Sequence, residues 1–438
     1  MMPFSLSLQD ILALQGKVGV ACDPQTSNSI PGVTVNIVDE QGNEQFSYAG
    51  GTRAIGSGVP MDMESIFWIA SCTKIVTSIA CLQLVEKGLI NLDDASSLEA
   101  ILPELKSVQV LSGKDGNFDL APKCRGISLR MLLSHTAGFT YSFFNESIRD
   151  FRQPDGYDEF SGHMNDMLQP LVHQPGEKWE YGISHDWAGI VVERLSHQSL
   201  DEYFRENIFI PLGISEMGFF PSSSMKDRLV SMHQRASDGK LTLRNPPLTR
   251  PLQVQTQSEL KKCFNSGGGG LWAKPSEFCS MFLSLNQYLE FVLKRYAEIL
   301  STLLNQGISP CTGYRILKEE NIEELYKNQI PQFPNFGRQG LTGAKRDLTN
   351  GANDLYPVEG NPPQGYSMAG MLTPTATGRS ETSVFWSGMP NIFWWCDREK
   401  KVAGMISAQI LPFGDASVLA LWNDLEKSIY DFIDKLAS

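Results

Sequence analysis

The sequence predicts an α/β (α+β) protein in which an antiparallel sheet, flanked by helices, is interrupted by a long helical insert. Three observations carry this. Strand-like segments gather near both ends of the chain, a helix-rich stretch from about 95 to 250 separates them, and a long amphipathic helix closes the chain. Residues 1–95 and 255–438 would then form one discontinuous sheet domain. Residues 96–254 would form a mainly helical domain, with the working cleft between the two. The 438 residues are 42% hydrophobic and 20% charged, which suffices to bury the core of such an interleaved unit.

Taken in order, Leu6 to Gly16 reads as a short amphipathic helix that stops at its glycine. Residues 31–39, with Val35-Asn36-Ile37-Val38, and residues 44–50 read as a hairpin turning at Asp39–Asn43. Ser71 opens a helical pattern in which Ile75, Ile79, Leu82 and Val85 recur at three- and four-residue spacing, and Gly88 is placed to end it. Leu129–Leu133, Asp186–His197 and Leu200–Ile208 are helical pieces of the insert. Asn265–Leu271, with four successive glycines, is a tight loop. Residues 383–387, 391–396 and 402–410 read as three successive strands, and Val418–Leu436 as the last helix.

Composition excludes several function classes. A formal net charge of −12 repels phosphate backbones, so nucleic acid is not the partner. No apolar stretch reaches the ~18 residues a membrane helix needs, so no membrane partner is expected. The start, Met1-Met2-Pro3-Phe4, lacks a basic region, and Gln9 and Asp10 interrupt the apolar run after it; a cytoplasmic location is the expectation. Eight cysteines without a C-x-x-C pair read as free thiols in a reducing compartment. Six scattered histidines offer no metal-ligand spacing. With no Walker A loop, no G-x-G-x-x-G and no G-x-S-x-G elbow, the expectation is no cofactor, no metal and no α/β-hydrolase chemistry.

The chemistry-bearing candidate is S-x-x-K. It occurs four times, at Ser71, Ser223, Ser237 and Ser258. Ser223 lies in a Pro-Ser-Ser-Ser run, Ser237 in a Ser-Asp-Gly-Lys turn, and Ser258 among Gln, Glu and Lys. Only Ser71 stands at the mouth of a strongly apolar helix, after Ile66-Phe67-Trp68-Ile69-Ala70. There the helix dipole is positive, and Lys74 follows one turn later on nearly the same face. A desolvated lysine can act as base, and a serine hydroxyl needs such a neighbour to attack a carbonyl. The motif by itself leaves the ordinary reading open, in which Ser71 is an N-cap and Lys74 a solvated side chain. Cys72 is a rival nucleophile, but it projects about 100° away around the helix.

Ala70-Ser71-Cys72-Thr73-Lys74 with Gly88-Leu89-Ile90-Asn91-Leu92-Asp93-Asp94 resembles the class C β-lactamase and esterase family. So do Leu132-Leu133-Ser134-His135-Thr136-Ala137-Gly138-Phe139, Pro175-Gly176-Glu177-Lys178-Trp179-Glu180-Tyr181, Gly268-Gly269-Gly270-Leu271 and Pro275-Ser276-Glu277-Phe278. These landmarks stand in family order over nearly the whole chain. Trp179-Glu180-Tyr181-Gly182, Asp186-Trp187-Ala188-Gly189, Pro390-Asn391-Ile392 and Gln409-Ile410-Leu411-Pro412 are similar to the fungal lovastatin acyltransferase group. That resemblance implies the β-lactamase/penicillin-binding-protein-like fold. It also implies transfer of an acyl group from a thioester, which a carrier protein can bear, to an alcohol of a small secondary metabolite. Ser71 would be the nucleophile, Lys74 and Tyr181 the proton-transfer pair, and the N–H groups of Ser71 and Met389 the oxyanion hole.

Two departures from the β-lactamase pattern are informative. Its Tyr-x-Asn reads Tyr181-Gly182-Ile183, and its Lys-Thr-Gly strand reads Trp386-Ser387-Gly388. Isoleucine cannot contact a β-lactam amide, and tryptophan replaces a carboxylate-binding lysine with an apolar wall. A neutral, hydrophobic acyl substrate is expected, bound by Trp386, Gly388, Phe139 and Tyr141. Phe143, Phe144 and Trp394 are further aromatic candidates, His135 reads as a structural loop residue, and His185 lies near Tyr181. Whether Lys74 or Tyr181 is the first base stays open. So does the choice among transferase, carboxylesterase and a non-catalytic binding scaffold that kept the fold.

Overall fold

The computed structural model describes residues 5–26, 28–156, 158–279, 299–373 and 377–437. Among these, a seven-stranded antiparallel sheet is assembled from both ends of the chain. Its strands are β1 (Gly32–Asp39), β2 (Glu44–Gly51), β3 (Gly365–Tyr366), β4 (Met371–Leu372), β5 (Val384–Gly388), β6 (Ile392–Asp397) and β7 (Val402–Ser407). The spatial order is β3-β4-β5-β6-β7-β1-β2, so the N-terminal hairpin joins the C-terminal meander through β1 and β7, with Thr34 opposite Ser407 and Ile37 opposite Gly404. Every residue of β1, β5, β6 and β7 is buried. That is why these stretches read as near-continuous apolar, β-branched and aromatic runs rather than as alternating ones.

Helices α1 (Leu8–Ala21) and α4 (Ala416–Ala437) pack against each other, and α1 also rests on β2. Two more, α2 (Thr73–Glu86) and α3 (Ser184–Ser196), pack against each other. The pattern of α2 predicts one apolar face, yet Thr73 through Leu84 are all buried, because α2 is surrounded by its neighbours. Its polar residues survive burial by hydrogen bonding: Thr77 Oγ1 donates to the Gly267 carbonyl (2.7 Å) and Ser78 Oγ to that of Met368 (2.6 Å). Gly88 follows the helix at φ +68°, where the sequence puts its stop.

Other expectations change. Gly16 does not end α1, which runs on to Ala21 from a Ser7/Asp10 capping box. An interior glycine costs only about 1 kcal/mol, and buried Leu14 and Val18 anchor the helix on either side of it. The strand read over 402–410 divides: β7 stops at Ser407, and Ile410–Leu411 pairs in parallel with Met232–Arg235 in a separate sheet. The insert carries hairpins as well as helices, at 109–122 and 232–244, and its buried residues Leu133, Phe139 and Trp187 belong to the same apolar core as the sheet. Cys22, Cys72, Cys81, Cys263 and Cys396 are buried free thiols and Cys124 an exposed one. The readings of Met1–Phe4 and of the Cys279 side chain fall outside the described residues. No helix among the described residues is long and apolar enough to cross a membrane.

Candidate active site

Ser71 lies in a short 3-10 turn, Ala70–Cys72, that feeds α2; it is not the N-cap of that helix. Ala70 adopts φ +43°, a left-handed conformation that costs a β-carbon-bearing residue of order 1 kcal/mol. The glycine-rich loop holds the turn there. The Ile69 N–H donates to the Leu271 carbonyl (3.0 Å), and the Leu271 N–H to Thr73 Oγ1 (3.1 Å). Thr73 Oγ1 in turn donates to the Ala70 carbonyl (2.7 Å).

Lys74 is 2% exposed, and its Nζ has three partners: Ser71 Oγ at 3.0 Å, Tyr141 OH at 3.0 Å and the Gly268 carbonyl at 2.7 Å. Burial lowers its pKa to about 7, opposed by the field of buried Asp186 and then of Cys72. Two N–H bonds, to Gly268 and Tyr141, leave the lone pair of a neutral amine directed at the serine hydroxyl. Asp186 Oδ1 fixes this loop from behind, accepting from Ser266 Oγ (2.6 Å) and from the Gly268 N–H (3.2 Å). Gly268 has no room for a side chain, since a Cβ there would lie 2.4 Å from Asp186 Oδ2 and 3.0 Å from Tyr141 OH.

Tyr181 faces the same hydroxyl. Its OH is hydrogen-bonded to the Ser71 side chain and accepts from Trp386 Nε1 at 3.1 Å. Burial pushes its phenol pKa well up, with the Ser71 and Trp386 bonds opposing. Desolvation thus moves Lys74 and Tyr181 in opposite directions, making the free amine accessible near neutrality and the phenolate costly. His135 brackets Tyr181 from φ +56°. Its carbonyl accepts from the Glu180 N–H (2.8 Å), its Nδ1 from the Gly182 N–H (3.4 Å), and its ring lies 4.8 Å from the tyrosine ring. A cavity of about 30 Å³ adjoins Ser71, walled by Phe143, Phe144, Trp179, Tyr181, Trp386 and Met389.

A family model described as Beta-lactamase matches residues 18–426. The chain belongs to the beta-lactamase family. It is 27% identical over 416 residues to monacolin J acid methylbutanoyltransferase of Aspergillus terreus, covering 92% of each chain. It is 28% identical over 407 residues to a lovastatin esterase of Penicillium rubens, covering 90% of this chain and 92% of the relative. A solved structure of a variant of simvastatin synthase from Aspergillus terreus superposes with a TM-score of 0.74 at 24% identity, covering 98% of this chain and 96% of the other. The chain is therefore an enzyme of this family, in the neighbourhood of the fungal acyltransferases that its motifs resemble.

Within this beta-lactamase family chain, the structure brings Ser71, Lys74, Tyr181, Trp386 and Met389 to one place. It separates others. Phe139 is fully buried, stacked on Trp187 at 6.2 Å, and does not reach the cavity. Tyr141 is hydrogen-bonded to Lys74 and is not among the residues that line the cavity. Trp394 is buried in the sheet against Phe278. His185 is buried too, its Nε2 3.2 Å from Ser78 Oγ. Ile183, at the β-lactamase asparagine position, is 0% exposed and belongs to the core. Phe143 and Phe144 do line the cavity, joined by Leu341, Leu355, Tyr356 and Phe413, which no motif marked. Neither the Tyr141 hydroxyl nor the Gly268 carbonyl was expected at the lysine; Tyr141 meets Lys74 across 67 positions, a separation no local spacing encodes. Cys72 is fully buried and burial pushes its thiol far up, so it supplies no thiolate.

Proposed function

We propose that the protein is a serine acyltransferase that moves an apolar acyl group from a thioester or ester to an alcohol of a small metabolite through an acyl-Ser71 intermediate. The observation that carries this is the buried Lys74 amine, 3.0 Å from Ser71 Oγ with its two other partners already in place. Lys74 takes the Ser71 proton, and Ser71 Oγ bonds to the acyl carbon. The carbon–sulfur or carbon–oxygen bond of the donor then breaks, and the proton returns to the leaving group. Tyr181 stays a phenol, hydrogen-bonded to Ser71, and relays the proton. An alcohol then attacks the acyl ester by the reverse path, and Ser71 recovers its proton. The apolar lining of the cavity and the tryptophan at 386 in place of a lysine favour a neutral acyl group over a β-lactam.

The N–H groups of Ser71 and Met389 are the oxyanion donors in this scheme. Gly388 makes their approach feasible, because a Cβ there would lie 2.5 Å from the Ile69 carbonyl and wedge β5 away from the turn. Gly388→Ala is therefore expected to lower kcat for a chromogenic ester by about 10²-fold, while circular dichroism stays that of the wild type. An unchanged kcat would remove Met389 from the scheme.

A carboxylesterase is the second reading, favoured by the likeness to a lovastatin esterase, a relative 28% identical over 407 residues. The two separate by partition. With an acyl thioester and a hydrophobic alcohol, intact mass spectrometry is expected to show one acyl group on Ser71, and chromatography to show mostly transferred ester. Adduct with only free acid would favour the esterase, and no adduct would end both. Delivery of the acyl group by a carrier protein is a further proposal, tested by replacing the free thioester with an acyl-pantetheinyl carrier domain and comparing kcat/KM.

A further inference from the structure

The cavity at Ser71, about 30 Å³, holds no more than a water or a methyl group. An acyl chain of even a few carbons cannot lie beside the serine unless the wall moves. On the other side of that wall is a groove of about 790 Å³, a size that holds small-molecule ligands. The two spaces share four residues: Leu341, Leu355, Tyr356 and Phe413.

These four are not held alike. Leu341 exchanges two backbone hydrogen bonds with Ala352 (2.7 and 2.9 Å). Phe413 is tied through its N–H to Leu348 (2.9 Å) and through its carbonyl to Asn350 (3.0 Å). Leu355 is 6% exposed, its N–H bound to the Gly337 carbonyl at 2.8 Å. Tyr356 stands apart. It lies outside regular secondary structure at φ +56°, a conformation costly for an aromatic residue. Its side chain is fastened by one hydrogen bond, OH to Ser387 Oγ at 3.1 Å, and by edge contacts to the Phe385 and Trp422 rings at 4.6 and 5.8 Å.

We propose that Tyr356 is a movable partition between the nucleophile cavity and this groove, and that the groove takes the aliphatic tail of an acyl group longer than about four carbons. Released from Ser387, the phenol swings aside, the two spaces join, and a chain whose carbonyl sits at Ser71 runs out past Leu355 and Phe413. The occupant is the acyl tail rather than the alcohol because the walls at the junction are apolar. The groove's cations are also committed, Lys427 to Asp431 at 2.8 Å and Arg379 to Glu426 at 2.5 Å, so they do not single out an anionic acceptor. This inference rests on the acyl-Ser71 reading and goes further by making Tyr356 a determinant of chain length.

The experiment compares kcat/KM for p-nitrophenyl octanoate and p-nitrophenyl acetate in four proteins: wild type, Tyr356→Phe, Tyr356→Ala, and Tyr356→Ala with Ala420→Trp. Ala420 is an exposed groove residue on α4, and a tryptophan there fills the groove from outside. Tyr356→Phe drops only the bond to Ser387 and keeps the ring, so it remains informative where the alanine variant folds poorly. The octanoate-to-acetate ratio is expected to rise severalfold in Tyr356→Phe and by about tenfold or more in Tyr356→Ala. It is expected to fall back when Ala420→Trp is added. A ratio that stays the same across all four, with both esters cleaved and acyl-Ser71 seen by mass, overturns the partition and leaves the acyl-enzyme reading standing. A rise that Ala420→Trp does not reverse also overturns it, because the tail then lies elsewhere. No acyl adduct from either ester overturns both.

Discussion

Ser71→Ala is expected to abolish acyl-enzyme formation and to lower ester cleavage by roughly 10⁴- to 10⁶-fold. The size follows from the lack of a substitute. Cys72, next in sequence, is fully buried with its thiol held protonated by desolvation. Among the described residues, Lys74 Nζ has no second aliphatic hydroxyl as a partner. Tyr181 is in place, but burial raises its pKa, so it is a poor nucleophile near neutrality. The substitution removes one small hydroxyl from a half-buried turn, so thermal unfolding is expected to shift by only a few degrees. Intact mass after reaction with a p-nitrophenyl ester, alongside released p-nitrophenol, checks both parts. Turnover above a tenth of wild type in the alanine variant would sink the assignment of the nucleophile.

Lys74→Met is expected to have the second largest effect, and its signature is in pH rather than in rate alone. Burial takes the Lys74 pKa from the usual 10.5 to about 7. If the free amine is the base, wild-type acylation rises about tenfold per pH unit below 7 and levels off above it. The methionine variant then runs about 10³-fold slower with that limb gone. A Tyr181 phenolate base would instead put the inflection above the ordinary tyrosine value of about 10, because burial raises that group. The same shift acts on stability with a defined sign. Between about pH 7 and 10.5 the unfolded chain binds a proton at Lys74 that the folded chain does not, so wild-type stability gains as pH rises through this window. Relative to Lys74→Met, which cannot titrate there, the wild type is expected to gain about 3–4 kcal/mol between pH 6 and 10. The variant also leaves the Gly268 carbonyl without its donor, a loss of about 1–3 kcal/mol that does not vary with pH. Urea denaturation of both proteins at several pH values measures the slope, and parallel stability curves would place the lysine in a wetter environment than this fold gives it.

Much of the frame is legible along the chain. The two end segments read as strands because β1, β5, β6 and β7 are buried on both faces and must be apolar throughout. The proposed nucleophile and its lysine are legible as a pair because S-x-x-K spacing is local to one turn. Tyr181 was reachable only through family landmarks. Two aromatic readings failed for one shared reason: nothing in Phe139 or Trp394 marks which side of a loop or strand it faces, and both turn into the core. Gly16 and the divided strand after Ser407 failed because packing partners distant in sequence decide where an element stops.

The sequence by itself determined the candidate serine and lysine, the family resemblance, the sheet-and-insert order, and the replacement of the polar β-lactam contacts by Ile183 and Trp386. Only the tertiary structure decided that Lys74 is dry, that Tyr141 and the Gly268 carbonyl complete its shell, and that Leu341, Leu355, Tyr356 and Phe413 border both the space at the serine and a larger groove. The reason is physical: a spacing of three residues is set by the geometry of one turn, whereas desolvation of an amine and the volume beside a hydroxyl depend on what segments tens to hundreds of residues away bring against them.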